Sequence, residues 1–593
     1  MFDLITKRQT TLRNDVLAGL TAVLTLIPEA IAFTFVAGID PLMGLYGSFF
    51  IGFMTAVFGG RPAMISGAAG SMAVVTTAFI IMFGLEYLLA AVILTGILQV
   101  AFGMFKMGKF IRLLPHPVML GFVNGLAIVI GWAQFNQFKD NTHVIYDAQH
   151  DLFTYAGDWL ALTSPEMLTM MGLIALTMAI VHFLPRMTKA VPAPLAAIAI
   201  CTALVSFTPL DSKLVSQVML DQRTSMIEKE IINERFEAIK ADIPYGQYAD
   251  VAASIAAERP TKEEIAARWQ ENQQKRVENG DKESVEPLDG SLKGELPSLH
   301  FPQLDWDLSS SEAFGALMKV FFLAVILASV GLIETLMTLS LIDEITQTKG
   351  NSNRESIAQG SGNMLSGLFG GMCGCAMIGQ SMICLNSGGR GRLSGVSTSL
   401  FMLIFILFFP RVIEIIPVAS LIGVMFMVVI ATFEWSSLRL FGKVPKSEIC
   451  IIVCVSAMTV ILDLAIAVGI GVIMSALIYA WNSAKNITIT TTEDASQKVY
   501  HISGNLFFGS ITDFKTSFTA QDDPDQIVID FASSRLFDQS AIKAVHEVSE
   551  KYMALGKTAY LRNLNAESAR LLINADDIIE VNMEHDVKTP MTA

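Results

Sequence analysis

Apolar stretches of about 20 residues, each long enough to cross roughly 30 Å of hydrocarbon as a helix, recur through the first 483 residues of the chain. They predict spans near 14–36, 42–58, 85–106, 117–137, 166–185, 191–209, 314–341, 356–371, 396–416, 419–435, 448–463 and 464–482. Two further apolar stretches, 62–82 and 372–388, open on small residues: Ser66-Gly67-Ala68-Ala69-Gly70-Ser71 and Gly370-Gly371-Met372-Cys373-Gly374-Cys375. Glycine weakens a helix interior, so each predicts a short extended piece followed by a half-helix. With both included the spans number fourteen, which puts the two termini on one side of the membrane.

The interrupted segments are the third of the first seven spans and the third of the second seven. Paired Gly-interrupted spans at matching places in two halves point to an inverted repeat with a substrate site at its midplane. Loop charges test the orientation. Arg61, then Lys106, Lys109 and Arg112, Arg186 and Lys189, Lys349 and Arg354, Arg390 and Arg392, and Arg439, Lys443 and Lys446 all fall on the side of the N-terminus. By the positive-inside rule that side is the cytoplasm. Met1 leads through Lys7, Arg8 and Arg13 into the first span without a small-residue cleavage site, so that span reads as uncleaved.

Polar sequence breaks this pattern twice. Residues 211–312 hold 12 Lys+Arg against 21 Asp+Glu, nine of the net −14 charges of the chain. The charged, helically periodic run from Glu228 to Gln274 predicts a solvated helical hairpin outside the cytoplasm. Beyond residue 484 the composition becomes soluble. Asn486–Thr492 alternates like a strand, Gly504–Gly509 reads as a turn, Gln526–Phe531 and Thr558–Leu561 as strands, and Ser540–Ala554 as an amphipathic helix, together a small α/β domain. The expected organisation is a first transmembrane repeat 1–210, a polar extracytoplasmic insertion 211–312, a second repeat 313–483 and a cytoplasmic domain 484–593.

Composition agrees. Only 16% of residues are charged, against about 25% in an average soluble domain, and the mean hydropathy is +0.51. The six cysteines lie in or beside apolar segments, which argues against an extracellular disulfide framework. Cys373 and Cys375, with no partner pair or nearby histidine, read as small packed residues rather than metal ligands. No phosphate-cradling G-x-x-x-x-G-K-[ST], H-E-x-x-H or G-x-S-x-G occurs, so ATP-driven pumping and hydrolysis lack their usual parts. A non-enzymatic carrier driven by a gradient remains.

Two acidic residues sit deep inside apolar spans: Glu29 in LTLIPEAIAF and Glu334 in SVGLIETLMT. An ionisable group at that depth marks a functional position by default, and a carboxylate there can exchange a proton. Asp463 lies near a span junction and reads as a cap. A half-helix N-terminus offers unpaired N–H groups and a positive dipole end, which suits an anion without lysine or arginine. On that reading Met72 at the first interruption, and Gly379, Gln380 and Ser381 at the second, approach the substrate, with Phe33 as an apolar wall.

The run Pro28-Glu29-Ala30-Ile31-Ala32-Phe33, continuing through AGIDPLMGLYGSF, resembles the signature of the SulP (sulfate permease, solute carrier 26) family. TKGNSNRESIAQGSGNMLSGLFGG with the second interrupted span is similar to the matching region of its bacterial members, including bicarbonate transporters, and the C-terminal domain resembles their STAS domain. The resemblance implies a polytopic α-helical protein with fourteen spans in a seven-plus-seven inverted repeat, core and gate subdomains and a cytoplasmic α/β STAS domain. It also implies an elevator-like cycle, frequently a homodimer, and the bacterial inner membrane. Carried over by position, Glu29, Phe33 and Met72 fall near the anion, and Glu334 matches an acidic position linked to cation coupling.

Three departures shape the expectation. Gln380 stands where many relatives have arginine. Ala69 and Ala376-Met377-Ile378 lack the hydroxyl and small residues of the sodium-coupled bicarbonate group, although Thr338 remains. Gln539 in FDQSA replaces a phosphorylatable serine. The expected activity is proton-coupled symport of sulfate or a related oxyanion, with no cofactor beyond the coupling ion, H+ or else Na+. Sodium-dependent bicarbonate uptake, or a channel or STAS-linked sensor, are the alternatives. The expected partners are a small inorganic anion, the lipid bilayer, a second copy of the chain and a cytoplasmic partner of the STAS domain, and no nucleic acid.

Overall fold

A computed structural model describes residues 12–573 apart from 109–114, 149–151, 189–191, 241–242, 245–246, 279–286, 293, 303, 305–310, 462–463, 486 and 495–496, together with Asn582–Met583. Lys7, Arg8, Lys109, Arg112, Lys189 and Asp463 lie outside the described residues. The chain divides into two units, Met1–Gly469 and Ile470–Ala593.

The first unit opens with α1 (Leu12–Ala37), α2 (Pro41–Phe58), β1 (Ser66–Ala68), α3 (Gly70–Phe83), α4 (Leu85–Met104) and α5 (His116–Gln134). A hairpin, β2 (Lys139–Asp147) and β3 (Leu152–Trp159), precedes α6 (Pro165–Met187) and α7 (Ala193–Phe207). The polar insertion carries α8 (Val215–Lys240), α9 (Tyr248–Ala257) and α10 (Lys262–Glu278). The second half runs α11 (Ser311–Thr346), α12 (Ser352–Leu368), β4 (Gly374–Ala376), α13 (Ile378–Asn386), α14 (Arg392–Phe408), α15 (Val418–Thr432), α16 (Lys446–Ile461) and α17 (Leu464–Lys485). Among the described residues, seven helices are long and apolar enough to cross a bilayer. Two groups of helices pack within themselves: α12 against α4 and α2, α14 against α1 and α2, α11 against α4; and α16 against α5, α15 against α6 and α5, α6 against α7.

Both interrupted segments form the expected strand and half-helix, and the two strands pair with each other. β1 and β4 are antiparallel, with Ser66 opposite Ala376, Gly67 opposite Cys375 and Ala68 opposite Gly374. A Cβ on Gly374 would overlap the Gly67 carbonyl oxygen, so this approach requires glycine. Both strands are fully buried, so the two edges of this sheet have no water to satisfy them. Side chains close them. Ser48 Oγ accepts from Ala68 N at 3.0 Å, Ser381 Oγ accepts from Ile65 N at 3.0 Å, and Thr335 Oγ1 accepts from Ala376 N at 3.1 Å. Asn363 bonds both backbone groups of Gly374. This explains α12, whose Gln359, Asn363 and Ser366 are all fully buried: its polar face serves the strand rather than solvent.

The insertion departs from the expected helical hairpin. Among the described residues it holds three helices, and the 138–165 loop folds as the β2–β3 hairpin against them. Val144 and Phe153 of the hairpin share a core with Ile232 and Phe236 of α8 and Ala252 and Ala256 of α9. The apolar residues of each piece have too few neighbours within that piece, so the two bury one another. The span predicted at 396–416 is also interrupted, since α14 stops at Phe408 and a short helix restarts at Pro410, which has no N–H to continue the ladder.

In the second unit a five-stranded sheet runs in the order β5 (Thr488–Asp494), β6 (Gln497–Leu506), β7 (Gln526–Leu536), β8 (Thr558–Arg562) and β9 (Asn582–Met583). β5 is antiparallel to β6 and the other pairs are parallel. The helices are α18 (Ile511–Thr516), α19 (Gln539–Met553) and α20 (Ala566–Ile573). Gly504 lies inside β6 rather than in a turn. Its φ of +106° sits beside a register shift between His501 and Ser503, so the glycine marks a bulge.

Candidate functional site

The half-helices α3 and α13 each begin after one residue, Ala69 or Met377, beyond the paired strands, so β1–β4 pairing brings their N-termini close together. The first N–H groups of a helix have no intrahelical acceptor, and the preferred N-cap residues carry an oxygen to satisfy them. Here the N-caps are Ala69 and Met377, and neither helix has a side-chain cap. Two uncapped, positive helix ends therefore face a common region.

Gln380, in the first turn of α13, is 2% exposed, and its Nε2 makes no hydrogen bond. Its side chain lies against the Glu29 carboxylate of α1. Nε2 carries two N–H groups, of which the Glu29 carboxylate can take one; the other, beside an uncapped helix end, is a donor available to a ligand. Gly379 next to it is exposed, and a Cβ there would meet no atom within 4 Å. Phe33 is one turn beyond Glu29 on α1. A Cβ on Gly70 would lie 2.6 Å from Phe33 Cε1 and 2.8 Å from Ile130 Cδ1, so the ring packs directly on the start of α3. Glu29, Phe33, Gly379 and Gln380 thus stand together around the two helix ends.

The other expected residues are placed differently. The Met72 side chain packs toward α11, where its Cε would be 2.5 Å from a Cβ on Gly331; only its backbone belongs to the first turn of α3. The Ser381 hydroxyl is committed to structure, donating to Met377 O at 2.7 Å while accepting from Ile65 N. Glu334 joins α11 to both interruptions: Ser71 Oγ donates to its Oε2 at 2.5 Å and Cys375 Sγ at 3.0 Å. Thr338 Oγ1 donates to Glu334 O at 2.9 Å and to Ala376 O at 3.3 Å. Glu334 and Thr338 therefore hold the strand pair from behind.

Residues not singled out from sequence support this frame. Gln99 of α4 accepts from Asn363 Nδ2 at 2.8 Å, and Gln359 Nε2 donates to Gly374 O at 2.5 Å. Their signal was present: Gln359, Asn363 and Ser366, four and three residues apart, form one polar helix face within an otherwise membrane-like region.

Comparison with known proteins finds matches along most of the chain. Residues 12–256 and 266–455 match the sulfate permease family, and residues 486–588 match the STAS domain. The chain is 34% identical over 563 residues to "Putative sulfate transporter YbaR" of Bacillus subtilis, covering 95% of this chain and 96% of that one. It is 26% identical over 595 residues to the bicarbonate transporter BicA of Picosynechococcus, covering 95% and 90%. Among solved structures, the transmembrane domain of a cyanobacterial BicA superposes with a TM-score of 0.55 at 25% identity, covering 77% of this chain and 97% of that one. The murine solute carrier 26 family member A9 anion transporter shares the fold over 97% of this chain and 89% of its own, with a TM-score of 0.67 at 15% identity.

Proposed function

This chain belongs to the sulfate permease family and ends in a STAS domain; from that premise, a multi-pass membrane anion transporter and not an enzyme, we propose that it carries sulfate or a related oxyanion together with protons. One observation carries the reading: the buried Gln380 amide, with donor capacity to spare, beside Glu29 at the uncapped end of α13. The anion sits between the α3 and α13 N-termini, taking hydrogen bonds from first-turn N–H groups and from Gln380 Nε2. An ionised Glu29 would repel a dianion at this depth, whereas a protonated Glu29 removes one negative charge and adds an O–H donor. The proton therefore binds with the anion and leaves with it. Glu334, held by Ser71 and Cys375, is the second carboxylate through which a proton could couple.

The fourteen spans form a seven-plus-seven inverted repeat, and the group carrying both half-helices moves against the other in an elevator-like cycle. The protein works in a bacterial inner membrane with both termini cytoplasmic, as a homodimer whose STAS domain meets a cytoplasmic partner. Sodium-dependent bicarbonate uptake is the second reading, favoured by the 26% identity to BicA along 95% of the chain. Against it, Glu334 Oε2 already accepts two donors, and Ala69 and Ala376 supply no side-chain oxygen for a cation.

Uptake of labelled sulfate and bicarbonate into proteoliposomes, under proton and sodium gradients applied separately, tests the proposal. Proton-driven sulfate accumulation is expected for the parent, with Glu29→Gln retaining exchange but losing accumulation. Sodium-driven bicarbonate uptake indifferent to both Glu29→Gln and Glu334→Gln would overturn it.

A further inference from the structure

The ties that fasten the polar insertion include Tyr46 Oη to Glu295 O and His300 to Glu86, and its helix α8 reaches both helix groups. At its N-terminal end, α8 is tied to the start of α15: Val215 N donates to Ile416 O at 2.9 Å, and Val418 N donates to Lys213 O at 2.9 Å. About four turns further along α8, Lys229 reaches the other group. Its Nζ donates to the Ile81 carbonyl and stands 5.5 Å from the centre of the Tyr155 ring of β3.

Ile81 belongs to the last turn of α3, which closes at Gly84 with φ +84° and the bond Gly84 N to Ile80 O at 2.9 Å. The last carbonyls of a helix have no intrahelical donor, and that end carries partial negative charge. Lys229 thus caps the far end of the half-helix whose near end faces Phe33 and Gln380. A cavity of about 690 Å³ opens here, where Phe35 of α1, Thr77 of α3 and Val418 of α15 meet α8 and the hairpin. The grip is not incidental to packing, because Lys229 is the residue that carries a charge from α8 across this space to α3.

We infer that Lys229 is a positioning residue for transport, fixing the C-terminal end of α3 to the insertion so that anion binding at the N-terminal end depends on it. The inference rests on the functional reading above. It gives the insertion a role that its polar, charged sequence does not announce. The titratable groups that line the same cavity as the amine are Asp221 and Glu230 on α8, Tyr155 and Lys139 on the hairpin, Glu166 on α6 and Lys213 ahead of α8; the lining stretches of α1, α3 and α15 bring no titratable side chain. Burial pushes the Lys229 ammonium down to about 8. Charged below that pH and neutral above it, the side chain holds α3 in the neutral range and loosens as the medium becomes alkaline.

The test uses the full-length protein in proteoliposomes and whichever of labelled sulfate or bicarbonate the parent accumulates. At pH 7, Lys229→Met is expected to raise the half-saturating concentration roughly two- to fivefold, the range of one charge at a helix end, while Lys229→Arg stays near the parent. At pH 9 the parent shifts toward Lys229→Met and Lys229→Arg does not. Hydrogen exchange of the 80–84 amides, compared at one pH, is expected to be faster in Lys229→Met than in the parent or Lys229→Arg. Unchanged half-saturation and unchanged exchange in Lys229→Met would overturn the inference. A parent that accumulates neither anion would count against the functional reading instead, and the exchange comparison would still decide the grip.

Discussion

Asn363 holds Gly374 by both of its backbone groups: Asn363 Nδ2 donates to the Gly374 carbonyl at 3.1 Å, and the Gly374 N–H donates to Asn363 Oδ1 at 3.0 Å. A side-chain amide so stands in for a third strand along β4. Asn363→Leu leaves the Gly374 N–H without a partner away from water, while Gln359 Nε2 still donates to the carbonyl, and is expected to destabilise the protein by about 1 to 3 kcal/mol. Asn363→Asp, which keeps the acceptor, should fall between. Thermal midpoints in detergent check this, and an unchanged Asn363→Leu midpoint would show that the strand edge is satisfied another way.

Gly379 separates folding from binding. Open space faces it, so Gly379→Ala should leave stability unchanged or raise it by up to about 1 kcal/mol. Gly379→Leu fills the room in front of the α13 N–H groups and removes at least one hydrogen bond to a charged ligand, about 1.5 to 3 kcal/mol. Half-saturation should rise roughly tenfold or more. Normal transport by Gly379→Leu would place the anion elsewhere.

In the C-terminal domain, the buried Asp523 accepts from Lys498 Nζ and Tyr500 Oη, each at 2.7 Å, from Thr519 Oγ1 at 3.0 Å and from Tyr552 Oη. Burial pushes its carboxyl up, but the bonds from Lys498, Tyr552, Tyr500 and Thr519 outweigh this and hold it below the usual carboxylate range. The bond to Asp523 is the main reason the Lys498 ammonium is held above its ordinary value. The acid's contribution is complete above about pH 3.9 and is lost as pH falls through its folded value; the lysine's is complete below about pH 10.4 and is lost as pH rises through its own. Asp523→Asn should therefore cost about 3 kcal/mol, evenly from pH 5 to 9, read by hydrogen exchange of the β7 amides. A loss that varied across that range would contradict the pairing.

Phe236 fastens the insertion to the hairpin, its ring 5.5 Å from Phe153 and edge-on at 85°. Phe236→Ala should remove about 3 to 5 kcal/mol of local packing. Trypsin would then cut at Arg235 and Lys240 several-fold faster, with no change beyond residue 484. Equal cleavage of parent and variant would show that the shared core does not hold the insertion.

The two interruptions were readable because glycine runs inside apolar spans have few meanings, and the sheet of the C-terminal domain because QIVIDF can hardly be other than a buried strand. Glu29 and Gln380 were readable by depth and by position. What the sequence hid were relationships between distant segments. Nothing local in Lys229 distinguishes it from its charged neighbours on α8, because its meaning comes from Ile81. The hairpin at 139–159 escaped for the same reason: its aromatic residues find their partners on α8 and α9. Ser381 and Glu334 showed the right chemistry, and only the strand pair reveals that their hydrogen bonds are already taken.

β1 and β4 lie some 310 residues apart in the chain, and this has a bearing on how the molecule is made. At about 5 to 20 residues per second, translation leaves the first strand without its partner for roughly a quarter of a minute to a minute. During that time Ser66–Ala68 can have neither the second strand nor the amides of α12 for company, in a solvent that offers no substitute. The site is thus absent from any product truncated before Gly374–Ala376. Its assembly is a late event in biogenesis, and a mutation in the second half can expose the first half to degradation.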